Sequence, residues 1–75
     1  MRDKIANAKN DAVIMASVPG SVGQLTEALK NARVAENIPE GDYVRDAYNA
    51  IQRLKRARKI RFHHGNGIWR EYLKG

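Results

Sequence analysis

Near Ala57 the apolar spacing of this 75-residue chain changes, and that change limits the folds open to it. Before it, apolar residues recur three and four apart, the spacing of one helix face. After it, Lys59-Ile60-Arg61-Phe62-His63 alternates polar and apolar, the period of a strand. The chain therefore reads as helices first and strands last. At this length it has material for one core, and a domain this small buries only about 60% of the surface its unfolded chain exposes. One domain over residues 1–75 is expected, mainly α with a small β-hairpin.

The helical part divides at its turn signals. A first helix is expected over about 2–17, with Ile5, Ala8, Ala12, Val13 and Ala16 on its apolar face and Met15 at the edge. Arg2, Lys4, Lys9 and Asn10 fall on its other faces. Val18-Pro19-Gly20 ends it, since Pro19 lacks an N–H and disfavours helix at Val18. Ser21-Val22-Gly23-Gln24 is a capping-box pattern and opens a second helix over about 22–32. Its stripe is Val22, Leu25, Ala28, Leu29 and Ala32. A connector follows, with Val34 and Ile38 as its expected anchors in the core. Asp42 is the expected N-cap of a third helix, about 43–57, with Val44, Ala47, Tyr48, Ile51 and Leu54 inward. Its opposite arc holds Asp42, Arg45, Asp46, Asn49, Arg53 and Arg56.

The strand part is expected as a hairpin over about 59–72. His64-Gly65-Asn66-Gly67 is its turn, because Asn-Gly tolerates positive φ at both positions. Ile68-Trp69-Arg70-Glu71-Tyr72 is the return strand and Leu73-Lys74-Gly75 the tail. A lone hairpin is marginal in water, so Ile60 and Phe62, with Ile68 or Trp69, should lie against the helices.

Charge is distributed unevenly. The formal net charge is +6, but residues 1–38 hold five Lys/Arg against four Asp/Glu, and residues 39–75 hold nine against four. Between Ala47 and Arg70 there is no acidic residue. A field of this kind attracts polyanions, although a basic surface also serves plain solubility.

The chain has no cysteine, hence no disulfide framework and no cysteine-held zinc. His63 and His64 are adjacent on a strand, where successive side chains point to opposite faces, so no metal site is expected. Gly65-Asn66-Gly67 lies in a hairpin turn rather than between a strand and a helix, so it is no nucleotide-binding fingerprint. No nucleophile–base pairing or enclosed carboxylate cluster suggests catalysis; neither an enzyme nor a cofactor is expected. No apolar run reaches the roughly 20 residues of a membrane span, and Asp3, Lys9, Asn10 and Asp11 break any leader-like core. A soluble cytoplasmic protein with no membrane contact is expected.

In element order the chain resembles the winged-helix family, a helix-turn-helix variant with a hairpin wing. The likeness rests on Ser21-Val22-Gly23-Gln24-Leu25-Thr26-Glu27-Ala28-Leu29 as second helix and Tyr43-Val44-Arg45-Asp46-Ala47-Tyr48-Asn49-Ala50-Ile51-Gln52-Arg53-Leu54 as recognition helix. Lys59-Ile60-Arg61-Phe62 and Gly67-Ile68-Trp69-Arg70 stand for the wing. Two features depart from it: a connector of about nine residues where three or four are usual, and no evident strand between the first two helices, where only Ser21 or Val22 could supply one.

The resemblance implies a small double-stranded DNA-binding protein, such as a transcriptional regulator, of the size phages and mobile elements encode. Its third helix would enter the major groove. Arg45, Asp46, Asn49 and Arg53 would then read bases, since arginine pairs with guanine and asparagine with adenine. Asp46 would orient Arg45 or Arg53, or accept from cytosine. Lys55, Arg56, Arg58 and Lys59 would hold phosphates, which position without reading sequence, and Tyr43 would donate to one. Arg61, His63, His64 and Asn66 would act from the wing. Tyr48 and Trp69 read as core. Two half-sites would make a homodimer, with the first helix as its surface. The alternatives are a protein-interaction module of the kind small phage inhibitors use on acidic host proteins, and an RNA-binding winged helix.

Overall fold

The computed structural model describes residues 2–72, and the side chains of residues 7–72. The side chains of Arg2, Lys4 and Ile5, and the tail Leu73-Lys74-Gly75, lie outside the described part. Three helices, α1 (Arg2–Ser17), α2 (Val22–Ala35) and α3 (Tyr43–Arg56), precede the strands β1 (Ile60–His63) and β2 (Ile68–Glu71). The protein is thus mainly helical with a two-stranded antiparallel hairpin, the layout of a three-helix winged-helix domain. No described helix is long and apolar enough to cross a membrane.

Local chemistry accounts for the helix ends. The Gln24 N–H donates to Ser21 Oγ at 3.2 Å and the Ser21 N–H to Gln24 Oε1 at 2.8 Å, so the capping box is complete. Asp42 caps α3, accepting from the Arg45 N–H at 3.3 Å. Both later helices close in the same way. The residue after the cap is left-handed, Asn37 at φ 59° and Arg58 at φ 58°. The next N–H reaches back to a carbonyl three positions inside the helix end, Ile38 to Arg33 and Lys59 to Leu54, each at 2.9 Å. This closing turn carries α2 on to Ala35, three residues past the expected end, and leaves seven connecting residues rather than nine.

The core is Ile14, Leu25, Leu29, Ala47, Ala50, Ile51, Leu54 and Ile60, with Val13, Met15, Val18 and Trp69 packed against it. Its composition corrects three expected faces. In α1, Ala8, Ala12 and Ala16 are exposed, while Ile14 and Asn10 point inward. An alanine arc carries little apolar area, so the larger Ile14 decides how the helix is rotated. In α3, Ala50 is buried, whereas Val44 and Tyr48 are 55% and 57% exposed. Ala47 and Ala50 are small enough for close helix packing, and burying Ala50 turns the face through about one residue, lifting Val44 and Tyr48 out. Val22, at the open start of α2, is also exposed, as are the supposed anchors Val34 and Ile38. The turn after Ala35 projects both outward.

The hairpin pairs Ile60 with Glu71, Arg61 with Arg70, Phe62 with Trp69 and His63 with Ile68. Its turn is the expected His64-Gly65-Asn66-Gly67, between His63 and Ile68. The His63 carbonyl accepts from the N–H groups of Asn66 at 3.2 Å and Gly67 at 2.9 Å. Gly67 alone in it has positive φ, 66°. A third chain segment joins the pair. Gly20 and Trp69 exchange both backbone hydrogen bonds, at 2.9 and 2.8 Å. The strand sought between the first two helices is therefore one residue, Gly20, rather than Ser21 or Val22. Because Trp69 spends its backbone groups on Gly20, its pairing with Phe62 is of the non-hydrogen-bonded kind, in which side chains approach more closely. Their ring centroids are 5.2 Å apart.

The corrected α1 face makes a test. Ile14→Ala should lower unfolding stability by about 2–5 kcal/mol. Ala12→Ser, on the arc expected to be buried, should change it by less than about 0.5 kcal/mol. Urea midpoints with a common slope would check both; the reverse order would mean that α1 is rotated differently.

Candidate nucleic-acid interface

Two cations from the helical part are taken up internally. Arg33, in the last turn of α2, has a side chain only 16% exposed. Its Nη2 donates to Asp46 Oδ2 at 2.7 Å and to Asn10 Oδ1 at 3.3 Å, and its Nη1 to the Glu40 carbonyl at 2.6 Å. One guanidinium thus joins α1, the connector and α3. Arg53 holds α3 to α1 through a forked contact with Asp11, with Nη2 to Oδ1 at 2.7 Å and Nε to the two oxygens at 3.1 and 3.3 Å. Both pairs are half-buried.

These contacts sort the expected base-reading residues. Arg53 is occupied by Asp11 and lies on the flank of α3 facing α1. Asp46 orients Arg33, not Arg45 or Arg53. Arg45 and Asn49 are exposed; the contact of Arg45 with Asp42, 3.5 Å between exposed groups, is weak enough to leave it available. At 3.6 residues per turn, Arg45, Asn49, Gln52 and Arg56 form one outward line, flanked by Tyr48. Tyr48, Asn49, Gln52, Arg53 and Arg56 surround a shallow depression. Gln52 and Tyr48 are the residues that sequence reasoning missed on this face. Gln52 lies three residues beyond Asn49 and four before Arg56, which was a sufficient signal. Tyr48 was assigned inward for its aromatic ring.

The phosphate-holding candidates Lys55, Arg56, Arg58, Lys59 and Arg61 are all exposed, and none makes a salt bridge among the described residues. They follow one another from the last turn of α3 into β1. Tyr43 is half-buried at the start of α3, with the Lys30 ammonium 5.8 Å from its ring centroid. On the hairpin, Arg61 stands directly across from Arg70, a second residue not singled out beforehand. Like charges at this position destabilise a strand pair, and no carboxylate bridges them among the described residues. His63 is half-buried and its Nδ1 accepts from the Asn66 N–H at 3.3 Å. His64 turns the other way and meets the Phe62 ring edge-on at 4.9 Å. Asn66 is exposed at the tip. No group of three His, Cys, Asp or Glu able to hold a metal ion occurs among the described residues.

The site therefore comprises an outward helical line of arginine and amide side chains able to make bidentate contacts, a run of cations at its C-terminal end that are unpaired among the described residues, and a hairpin carrying two facing arginines. No protein-family model, no curated protein and no solved structure matches the chain.

The position of Arg33 generates a stability test. Lysine keeps the charge, but its three N–H groups radiate from one nitrogen and cannot span the acceptors that Arg33 reaches from Nη1 and Nη2. Arg33→Lys should therefore lower stability by about 2 kcal/mol, since a buried amide oxygen and a carboxylate lose partners. Thermal unfolding checks this; a variant as stable as the parent would show that the three contacts are incidental.

Proposed function

We propose that the protein binds double-stranded DNA, with α3 in the major groove and the hairpin against the backbone, as a small transcriptional regulator does. The observation that carries this reading is the run Lys55, Arg56, Arg58, Lys59 and Arg61, exposed and without acidic partners among the described residues, next to the exposed Arg45 and Asn49 and the half-buried Gln52. Arginine, asparagine and glutamine each present a fork that matches one purine edge in the major groove. The neighbouring cations supply the phosphate contacts that set the register of a reading helix. Arg53 and Asp46 stand outside this role, since each is engaged with another helix. The soluble, cytoplasmic setting and a dimer on two half-sites belong to the same proposal.

A protein-interaction module is the second reading. An apolar groove between α1 and the end of α2 favours it, with Ala12, Val13, Leu29, Ala32, Ile38 and Pro39 in its wall. Competition by structured RNA would separate the RNA-binding alternative.

Fluorescence anisotropy with duplex DNA over a range of salt concentrations tests the leading reading. Binding should weaken steeply with salt, and Lys55→Ala/Arg56→Ala should make the log–log slope shallower by up to about two. Arg53→Ala should leave the slope nearly unchanged, because that guanidinium is held by Asp11. Absence of binding below about 100 μM at low salt, where non-specific binders normally associate, would sink the reading in favour of a protein partner.

Arg58 offers a separate test. A bulky residue in the left-handed region is strained, and glycine suits that position. Arg58→Gly should raise stability by about 0.5–1 kcal/mol while weakening DNA binding. Greater stability with unchanged affinity would remove Arg58 from the interface.

A further inference from the structure

The last turn of α3 and the hairpin border an open cleft of about 550 Å³, lined by Lys55, Ile60, Arg61, Phe62, His64, Trp69 and Tyr72. Its volume lies within the roughly 300–1,000 Å³ of small-ligand sites. Its wall has two chemistries. Phe62, Trp69 and Tyr72 are aromatic, with the His64 imidazole beside them. The charged groups, Lys55 and Arg61, are both cations, and neither is paired among the described residues. Phe62 meets His64 and Trp69 edge-on, at interplanar angles of 82° and 62°. Neither contact covers one ring face with another.

A cleft of this chemistry suits a flat π-system attached to an anion. We infer that it receives a single nucleobase turned out of the helical stack, with the adjoining phosphate held by Lys55 and Arg61. The inference rests on the DNA-binding reading and deepens it. In an intact duplex every base is covered by its neighbours, so none can enter a cleft between a helix and a strand pair. Extrusion of a base is easiest where it is already unpaired. Stacking on aromatic side chains beside a basic track is tolerant of base identity, because every base has a π-face. Lys55 places this cleft at the end of the same α3 that carries Gln52 and Arg56, so a duplex lying along α3 would bring one nucleotide to its mouth. The consequence is a preference for duplexes with an unpaired base or a single-stranded end.

Trp69 is the single tryptophan of the chain, and it lines the cleft, so the protein carries its own reporter. Two duplexes of the same sequence, one blunt and one with a single bulged thymine, would be titrated against the full chain. Anisotropy would give affinity, and tryptophan emission would give cleft occupancy. The bulged duplex should bind at least about fivefold more tightly, the lower end of what one stacked base contributes, and should alone quench Trp69. Tyr72→Ala, at an exposed position, should remove most of that preference while leaving affinity for the blunt duplex and the thermal midpoint nearly unchanged. Equal affinities with equal tryptophan emission would overturn the inference and leave the DNA-binding reading intact. So would a preference that survives the substitution. Failure of both duplexes to bind at low salt would overturn this inference and the DNA-binding reading together, and the cleft would then belong to a protein partner.

Discussion

Arg33 donates in three directions from one planar group, and the relative placement of the helices depends on it. Its partners come from α1, from the connector and from α3: the Asn10 amide, the Glu40 carbonyl and the Asp46 carboxylate. Asn10 is the buried polar residue of the described core, and without the guanidinium its oxygen would face apolar side chains. A buried polar group left unpaired costs about 1–3 kcal/mol, a large fraction of the stability of so small a domain. The contact with Glu40 fixes the path of a seven-residue connector that otherwise has few apolar attachments, since Ile38 is exposed. Together with the apolar contacts of Leu25 and Leu29 against Ala47, Ala50 and Ile51 in the core, this side chain holds α2 and α3 in register and so orients Arg45 and Asn49 outward.

The hairpin depends on a second small feature. Two strands of four residues are too little to persist in water. Gly20 adds a third partner through two backbone hydrogen bonds, and Trp69 adds packing against the helical core. These attachments lie on the same residue of β2: the Trp69 backbone holds the junction between α1 and α2, and its side chain lies against Phe62. The opposite strand, β1, is tied to α3 by the closing turn at Arg58. The cleft beside Lys55 is therefore framed by elements fixed at both ends, so its aromatic wall is organised before any ligand arrives.

Much of this was legible in the chain itself. The three helices, the Ser21–Gln24 box, the Asp42 cap and the hairpin follow from local patterns that tertiary structure did not override. Helix rotation was less legible. A face made largely of alanines in α1 and a single extra alanine in α3 give weak periodic signals, so the placements of Ile14, Val44 and Tyr48 were decided by packing. The Gly20 bridge left no pattern, because one residue in a ladder has no period. Among the site residues, the exposed run from Lys55 to Arg61 was evident from charge. The occupation of Arg53 by Asp11 was not, because it joins positions 42 residues apart. The place of Arg70 opposite Arg61 required the register, which the turn length sets.

The folded charge pattern bears on function more than the composition does. Asp11 and Asp46 are engaged by Arg53 and Arg33, so neither carboxylate is left to pair with the cations from Lys55 to Arg61, which make no salt bridge among the described residues. Nothing in the core calls for those cations. Arg61 facing Arg70 repels across the strands, and Arg58 occupies a backbone region that glycine would fill with less strain. Two departures from local preference, together on one surface and with no compensating contact among the described residues, fit a surface shaped by something outside it. A polyanion would neutralise the arginine pair and give the Arg58 guanidinium a partner, an attraction that offsets its backbone strain without removing it. Plain solubility would be served equally well by glycine at 58 and by a carboxylate opposite Arg61, which is why the arrangement of these charges, rather than their number, supports the DNA-binding proposal.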